Sequence, residues 1–131
     1  MGERNKTSLY VEDDPSLQKL VRVALEGLGR GRYTVRTAGD GREALAIARG
    51  PAPHLLLLDL NLPDMNGIAV LRALRQLPGL ADVPVIFLTA VNDPAVDVEL
   101  YALGAREVLR KPFRPRLLLE SIAGVLGTRG A

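Results

Sequence analysis

The chain has 131 residues, no cysteine and one histidine, and its 17 basic and 15 acidic side chains leave a formal net charge of +2. This length predicts a single domain with one proper core. The composition excludes a disulfide framework, a thiolate-held zinc or iron–sulfur centre and a multi-histidine metal site within one chain, and no apolar run approaches the ~20 residues of a membrane-spanning helix. Residues 1–6 read as a polar tail without the apolar region of a signal peptide. With the lack of cysteine, this is compatible with a cytoplasmic location.

Thr7 to Val11 is apolar and partly β-branched or aromatic, which predicts a first strand. Asp14-Pro15 then reads as an N-cap with proline at the first helical position. Leu17, Leu20, Val21, Ala24, Leu25 and Leu28 share one helical face, ending at Gly29. Tyr33 to Thr37 alternates apolar and polar like a half-exposed strand. Asp40 and Glu43 have capping-box spacing before a short helix through Ala44, Leu45, Ile47 and Ala48, which Pro51 and Pro53 break.

Leu55 to Leu58 is a continuous apolar run closed by Asp59, as in a strand buried on both faces. A helix is expected over Asn66 to Leu77, with Ile68, Leu71, Leu74 and Leu77 inward. Val83 to Leu88 predicts a fourth strand ending at Thr89. Asp93-Pro94 starts a helix through Val96, Leu100 and Leu103 that stops at Gly104. Arg106 to Arg110 is a short fifth strand, and Pro115 opens a last helix with Leu118, Ile122, Val125 and Leu126 inward. Five strands alternating with five helices predict an α/β domain over residues 7–127, with a parallel sheet covered on both faces and a short tail at 128–131.

Ligands of open parallel sheets bind beyond the carboxyl ends of the strands. The first strand ends in Glu12-Asp13-Asp14, the third in Asp59, the fourth in Thr89 and the fifth in Lys111. Most strand-end aspartates only cap helices or turns, but several carboxylates on one edge repel and raise one another's pKa. A divalent cation relieves that repulsion, and hard oxygen donors point to Mg²⁺ or Mn²⁺. Lys111, one of only three lysines, would place a compact positive charge on the same edge. The Thr89 hydroxyl could bond a phosphoryl oxygen. Carboxylates, metal, lysine and hydroxyl together suit phosphoryl transfer to Asp59 as an acyl phosphate. The basic side chains are nearly all arginine, are spread along the chain and form no recognition motif, so direct nucleic-acid binding by this domain is not expected.

These residues resemble the receiver domain of two-component response regulators from Ser8 to about Leu126. The likeness rests on Glu12-Asp13, on Asp59-Leu-Asn61-Leu-Pro63-Asp-Met65-Asn-Gly67, on Thr89-Ala90, and on Gly104-Ala105 through Lys111-Pro112-Phe113. It implies a flavodoxin-like three-layer (βα)5 fold with strand order 2-1-3-4-5. It implies that Asp59 accepts a phosphoryl group from a histidine kinase or histidine phosphotransfer protein. Mg²⁺ would be held by Asp13, Asp59 and the Asn61 backbone carbonyl, with Glu12 acting through a water. Lys111 and Thr89 would contact the phosphoryl group, and the Lys111–Pro112 bond would be cis. The domain would be a signalling phosphoacceptor rather than a true enzyme, acting on a downstream protein target or output domain. Many relatives pair through the fourth helix, fifth strand and fifth helix, where Asp97, Glu99, Arg106, Glu107, Arg110, Arg114 and Arg116 lie here.

Two positions depart from the family or bear on its kinetics. Relatives usually carry Tyr or Phe three residues before the lysine, and Val108 stands there. Ordinary phosphorylation chemistry with altered or weaker coupling to the output surface is the expectation. Val91 offers no polar side chain to orient a hydrolytic water. Asp14 reads as a helix cap and His54 as a structural residue. An aspartate-nucleophile phosphatase would need a second aspartate where Asn61 stands. A nucleotide or flavin module would need a glycine-rich loop after the first strand. A degenerate receiver used only for binding would not need the complete phosphorylation set. No output domain is expected after the last helix, as in a stand-alone regulator or a receiver module excised from a hybrid kinase or larger regulator.

Overall fold

The computed structural model describes residues 5–127. Five parallel strands, β1 (Lys6–Val11), β2 (Tyr33–Ala38), β3 (Leu55–Asp59), β4 (Val85–Thr89) and β5 (Glu107–Arg110), form one sheet in the order β2-β1-β3-β4-β5. The intervening helices are α1 (Pro15–Arg22), α2 (Gly41–Ala48), α3 (Gly67–Arg75), α4 (Pro94–Ala102) and α5 (Pro115–Leu126). This is the flavodoxin-like three-layer arrangement and strand order that the resemblance implied.

The layers follow from strand alternation. Leu56 and Leu58 of β3, with Leu9, Val11, Val85 and Phe87, pack with Ala44, Ala48, Val70, Leu71, Leu74 and Leu100, so α2, α3 and α4 cover one face. Leu55 and Leu57, with Tyr10, Ile86 and Leu88, meet Val21, Ala24, Leu25, Leu118 and Ile122, so α1 and α5 cover the other. An apolar run of both parities is what a central strand buried on two sides requires.

The predicted caps form. Asp14 accepts from the Ser16 and Leu17 amides and Asp93 from Ala95, while Asn66, expected as the first helical residue, caps its helix by accepting from Ala69 N–H. Asp40 accepts from Glu43 N–H at 2.8 Å, while the Glu43 carboxylate takes Gly39 N–H at 2.7 Å, one residue earlier than in a standard capping box. Element limits shift where the backbone dictates it. Pro84 has no N–H, so the fourth strand's ladder begins at Val85 rather than Val83.

One expectation of the first helix fails. Beyond Arg22 the helix continues as a π-helical stretch over Val23–Leu28. The wider turn breaks the α-helical period. Leu28, expected inward, is 44% exposed; Leu20, also expected inward, is 38% exposed although it precedes the wider turn. The same segment closes the edge of the sheet at β2. The Glu26 carboxylate accepts from Val35 N–H at 3.1 Å, and Arg22 donates to Val35 C=O and to Thr37 Oγ1. At the opposite edge, Val108 N–H of β5 donates to the Tyr101 hydroxyl of α4 at 3.2 Å.

The central strand carries the core, so truncation there is costly. Leu57, fully buried between β1 and β4, should lose about 2–5 kcal/mol of unfolding free energy on Leu57→Ala, read by urea denaturation with an unchanged m-value.

Candidate functional site

The strand register brings the polar strand ends to one level. Val11 stands opposite Leu58, Asp59 opposite Leu88, and Thr89 opposite Arg110. Glu12 therefore follows β1 beside Asp59 at the end of β3, and Lys111 follows β5 beside Thr89. Carboxylate oxygens of Glu12, Asp13 and Asp59 all lie within 4.8 Å of one another. Lys111 Nζ sits 2.6 Å from Glu12 Oε1 and 3.3 Å from Asp59 Oδ2. Asp59 Oδ1 also accepts from Asn61 N–H at 3.3 Å.

Burial sets the electrostatics. Glu12 is 1% and Asp59 5% exposed, whereas Asp13 faces solvent. Burial raises the Glu12 pKa, against the lowering effects of the Lys111 and Asp14 N–H hydrogen bonds. For Lys111, burial works against the charge, but the bond to Glu12 and the charge of Asp59 outweigh it, and its pKa rises. Three clustered carboxylates offer an all-oxygen donor set, with one acid solvent-facing and two shielded. Such a set fits a hard divalent cation and is ill-suited to a soft one.

Thr89 is fully buried at the end of β4, and its Oγ1 accepts from Val91 N–H at 2.9 Å. Its carbonyl accepts from Lys111 N–H at 2.9 Å, tying the ends of β4 and β5 together. Arg110 donates to Val91 C=O and pairs with Asp97 Oδ2 at 2.6 Å, so the segment after Thr89 is anchored to α4. The Lys111–Pro112 bond is cis, as the resemblance implied. His54 is structural, as expected. Its Nδ1 accepts from Thr7 N–H, and its backbone N–H donates to Thr7 C=O.

The segment after Asp59 is built to a tight tolerance. Gly67 N–H donates to Leu60 C=O at 2.7 Å, and Asn61 pairs with Asn66 in an isolated antiparallel bridge. A Cβ on Gly67 would stand 2.4 Å from the Asp59 carbonyl oxygen. Only glycine lets the first turn of α3 approach Asp59 this closely.

Some site features were not read from the sequence. Asp64 accepts from Gly41 N–H at 2.9 Å and Arg42 N–H at 3.0 Å, so the loop after β3 caps α2. No local pattern links residues 22 and 23 positions apart. Tyr10 is a second case. Its hydroxyl donates to Glu12 Oε1 at 3.1 Å from inside the core. Burial, then the Glu12 charge, push its phenol well above the ordinary range. The signal was present, since residues two apart on a strand share a face.

The doubly wound parallel sheet thus gathers two buried carboxylates beside one lysine at its strand ends. The family model described as response regulator receiver domain matches residues 9–123, and the chain belongs to that family. It is 44% identical over 123 residues to the DNA-binding response regulator MtrA of Mycolicibacterium smegmatis, covering 93% of this chain and 51% of that protein. It is 36% identical over 126 residues to the probable transcriptional regulator ycf27 of Cyanophora paradoxa, covering 96% of this chain and 50% of that protein. The chain thus spans about half the length of the curated relatives it matches. Among solved structures, chemotaxis protein CheY4 of Vibrio cholerae aligns with a TM-score of 0.85 at 35% identity, over 93% of this chain and 99% of that one. A putative response regulator from Chloroflexus aurantiacus aligns at 0.84 and 31% identity, over 95% of this chain and 99% of that one. No helix among the described residues is long and apolar enough to cross a membrane.

Two outcomes follow from this scaffold. Gly67→Ala should lower stability by about 1–3 kcal/mol in urea denaturation, because backbone rather than a flexible side chain must yield. The Gly41 N–H bond, and with it that of Arg42, holds the Asp64 carboxyl below its ordinary range, against the opposing effect of burial. The stabilisation is therefore full above the unfolded pKa of about 3.9 and is lost as the pH falls through the lower folded value. Asp64→Asn should lower Tm at neutral pH, and the gap from the parent protein should close below about pH 4 in a thermal-melt series.

Proposed function

We propose that Asp59 is the phosphoacceptor of this receiver domain and that Glu12, Asp13, Lys111 and Thr89 serve the transfer. The observation that carries the reading is the placement of a nearly buried Asp59 carboxylate 3.3 Å from Lys111 Nζ, within the three-carboxylate cluster. An Asp59 oxygen attacks the phosphorus of a phosphohistidine on a histidine kinase or histidine phosphotransfer protein. The new P–O bond forms as the P–N bond breaks, and the leaving imidazole nitrogen takes up a proton from solvent. Lys111 stays protonated and neutralises charge on the phosphoryl oxygens. Thr89 Oγ1 exchanges its bond with Val91 N–H for one to a phosphoryl oxygen.

Asp13, Asp59 and the Asn61 backbone carbonyl would hold Mg²⁺, or Mn²⁺, with Glu12 acting through a water. The ion supplies positive charge that neutralises the phosphoryl oxygens during transfer. The domain changes only its own phosphorylation state and passes the signal through protein contacts, in the cytoplasm. We place the switched surface, and pairing of two copies, on α4, β5 and α5, where Val98, Tyr101 and Leu117 are exposed apolar side chains. Asp97 and Arg110 are already paired within the chain. The charges left to guide pairing there are Glu99, Arg106, Glu107, Arg114, Arg116 and Glu120.

Intact mass after brief exposure to a small-molecule phosphodonor tests the assignment. One phosphoryl group should be gained with Mg²⁺ present, none with chelator, and none in Asp59→Asn. A gain that persists in Asp59→Asn would overturn the assignment.

A further inference from the structure

Lys111 lies between two carboxylates and is held more closely by Glu12 than by Asp59, at 2.6 Å against 3.3 Å. As a phosphoryl group on Asp59 draws the ammonium toward its own oxygens, the 2.6 Å bond to Glu12 Oε1 is the contact that weakens. Glu12 is almost fully buried, so an Oε1 abandoned by its donor would bear the desolvation penalty of an unpaired charged atom. That penalty would hold Lys111 in the resting position.

A second donor already occupies that oxygen. The Tyr10 hydroxyl donates to Glu12 Oε1 at 3.1 Å, while Glu12 Oε2 accepts from Asp14 N–H at 3.1 Å. The Tyr10 ring packs fully buried with Leu55, Leu57, Ile86 and Phe113 on the α1–α5 side of the sheet. Its neighbours on β1, Leu9 and Val11, are aliphatic and equally buried. Apolar packing at this position needs no hydroxyl, and the phenol reaches the strand end where an aliphatic side chain would stop short.

We propose that Tyr10 is a positioning residue for phosphoryl transfer: its hydroxyl fixes the Glu12 carboxylate and shares the oxygen that binds Lys111, so that Lys111 is released to the phosphoryl group on Asp59. The proposal rests on the reading of Asp59 as phosphoacceptor. With the phenol in place, Glu12 keeps a donor on each oxygen when the ammonium leaves. Two donors on one oxygen also divide its charge, which loosens the resting Lys111–Glu12 pair.

Tyr10→Phe keeps the ring and removes only the donor. Hydrogen exchange at the ¹⁵N-labelled Lys111 ammonium, measured by NMR without phosphodonor, should slow in the variant because Glu12 then depends on Lys111 alone at Oε1. At saturating Mg²⁺ and small-molecule phosphodonor, the phosphorylation rate should fall about three- to tenfold, part of the rate equivalent of one hydrogen bond to a charged group. The donor concentration for half-maximal rate should stay within about twofold, since no donor contact is lost. The effect should vanish in a Glu12→Gln background, where Tyr10 has no carboxylate to act through. Unchanged ammonium exchange together with an unchanged rate would overturn the proposal and leave Tyr10 a core aromatic. So would an equal slowing in both backgrounds, which would mark a general packing effect. If the parent protein takes up no phosphoryl group, the phosphoacceptor reading fails, and the ammonium exchange still decides whether Tyr10 governs the Glu12–Lys111 pair.

Discussion

Glu12 and Asp59 are carboxylates set almost out of reach of water at adjacent strand ends, and Lys111 is the cation that makes their proximity tolerable. Much of the surrounding structure serves that arrangement. The parallel register sets Glu12 level with Asp59, and the β4–β5 pairing delivers Lys111 from the far side. Hydrogen bonds from Tyr10, Asp14 and Asn61 occupy carboxylate oxygens that burial would otherwise strand. A buried charge pair contributes little net stability once desolvation is counted. The electrostatics of these strand ends therefore fit chemistry better than folding, and the stability resides in the two leucine-rich layers beneath.

The supports for Asp59 come from the loop that follows it and from the segment after β4. Gly67 permits the close return of α3, and Asp64 ties the same loop to the amides of α2. Thr89, Val91, Arg110 and Asp97 form a second connected set running from the end of β4 to α4. The site thus sits between two loops, each held at both ends by hydrogen bonds. Loops held in this way carry functional groups with the placement of a rigid element.

The parts that were legible in the sequence are those written in local pattern. Leu55–Leu58 is apolar on both parities, and its short length between Pro53 and Asp59 rather than leucine's modest strand propensity marks a doubly covered strand, which Asp59 ends. Asp14, Asp40 and Asp93 announced their helices because capping is a bond between near neighbours. Leu28 was misplaced because the 3.6-residue period was carried through a segment that adopts a wider turn, and nothing in Val23–Leu28 marks that change. Asp64 was invisible because its amide partners on α2 are remote in sequence. Tyr10 was read as a strand aromatic, which its ring is, while its hydroxyl belongs to the site. The strand order itself entered through family resemblance, since alternation of elements alone permits several orders.

The sealed edges of the sheet have a consequence for behaviour in a crowded solution. An open five-stranded sheet ends in two strands whose outward amides and carbonyls could template a further strand from another molecule. In β2, the outward N–H and C=O of Val35 are occupied by Glu26 and Arg22, and in β5 the N–H of Val108 is taken by Tyr101. A foreign strand pairing at Val35 or Val108 would first have to displace a charged or aromatic side chain. The fold thus carries its own protection against edge-to-edge aggregation, made from helix side chains rather than from prolines or bulges in the strands themselves.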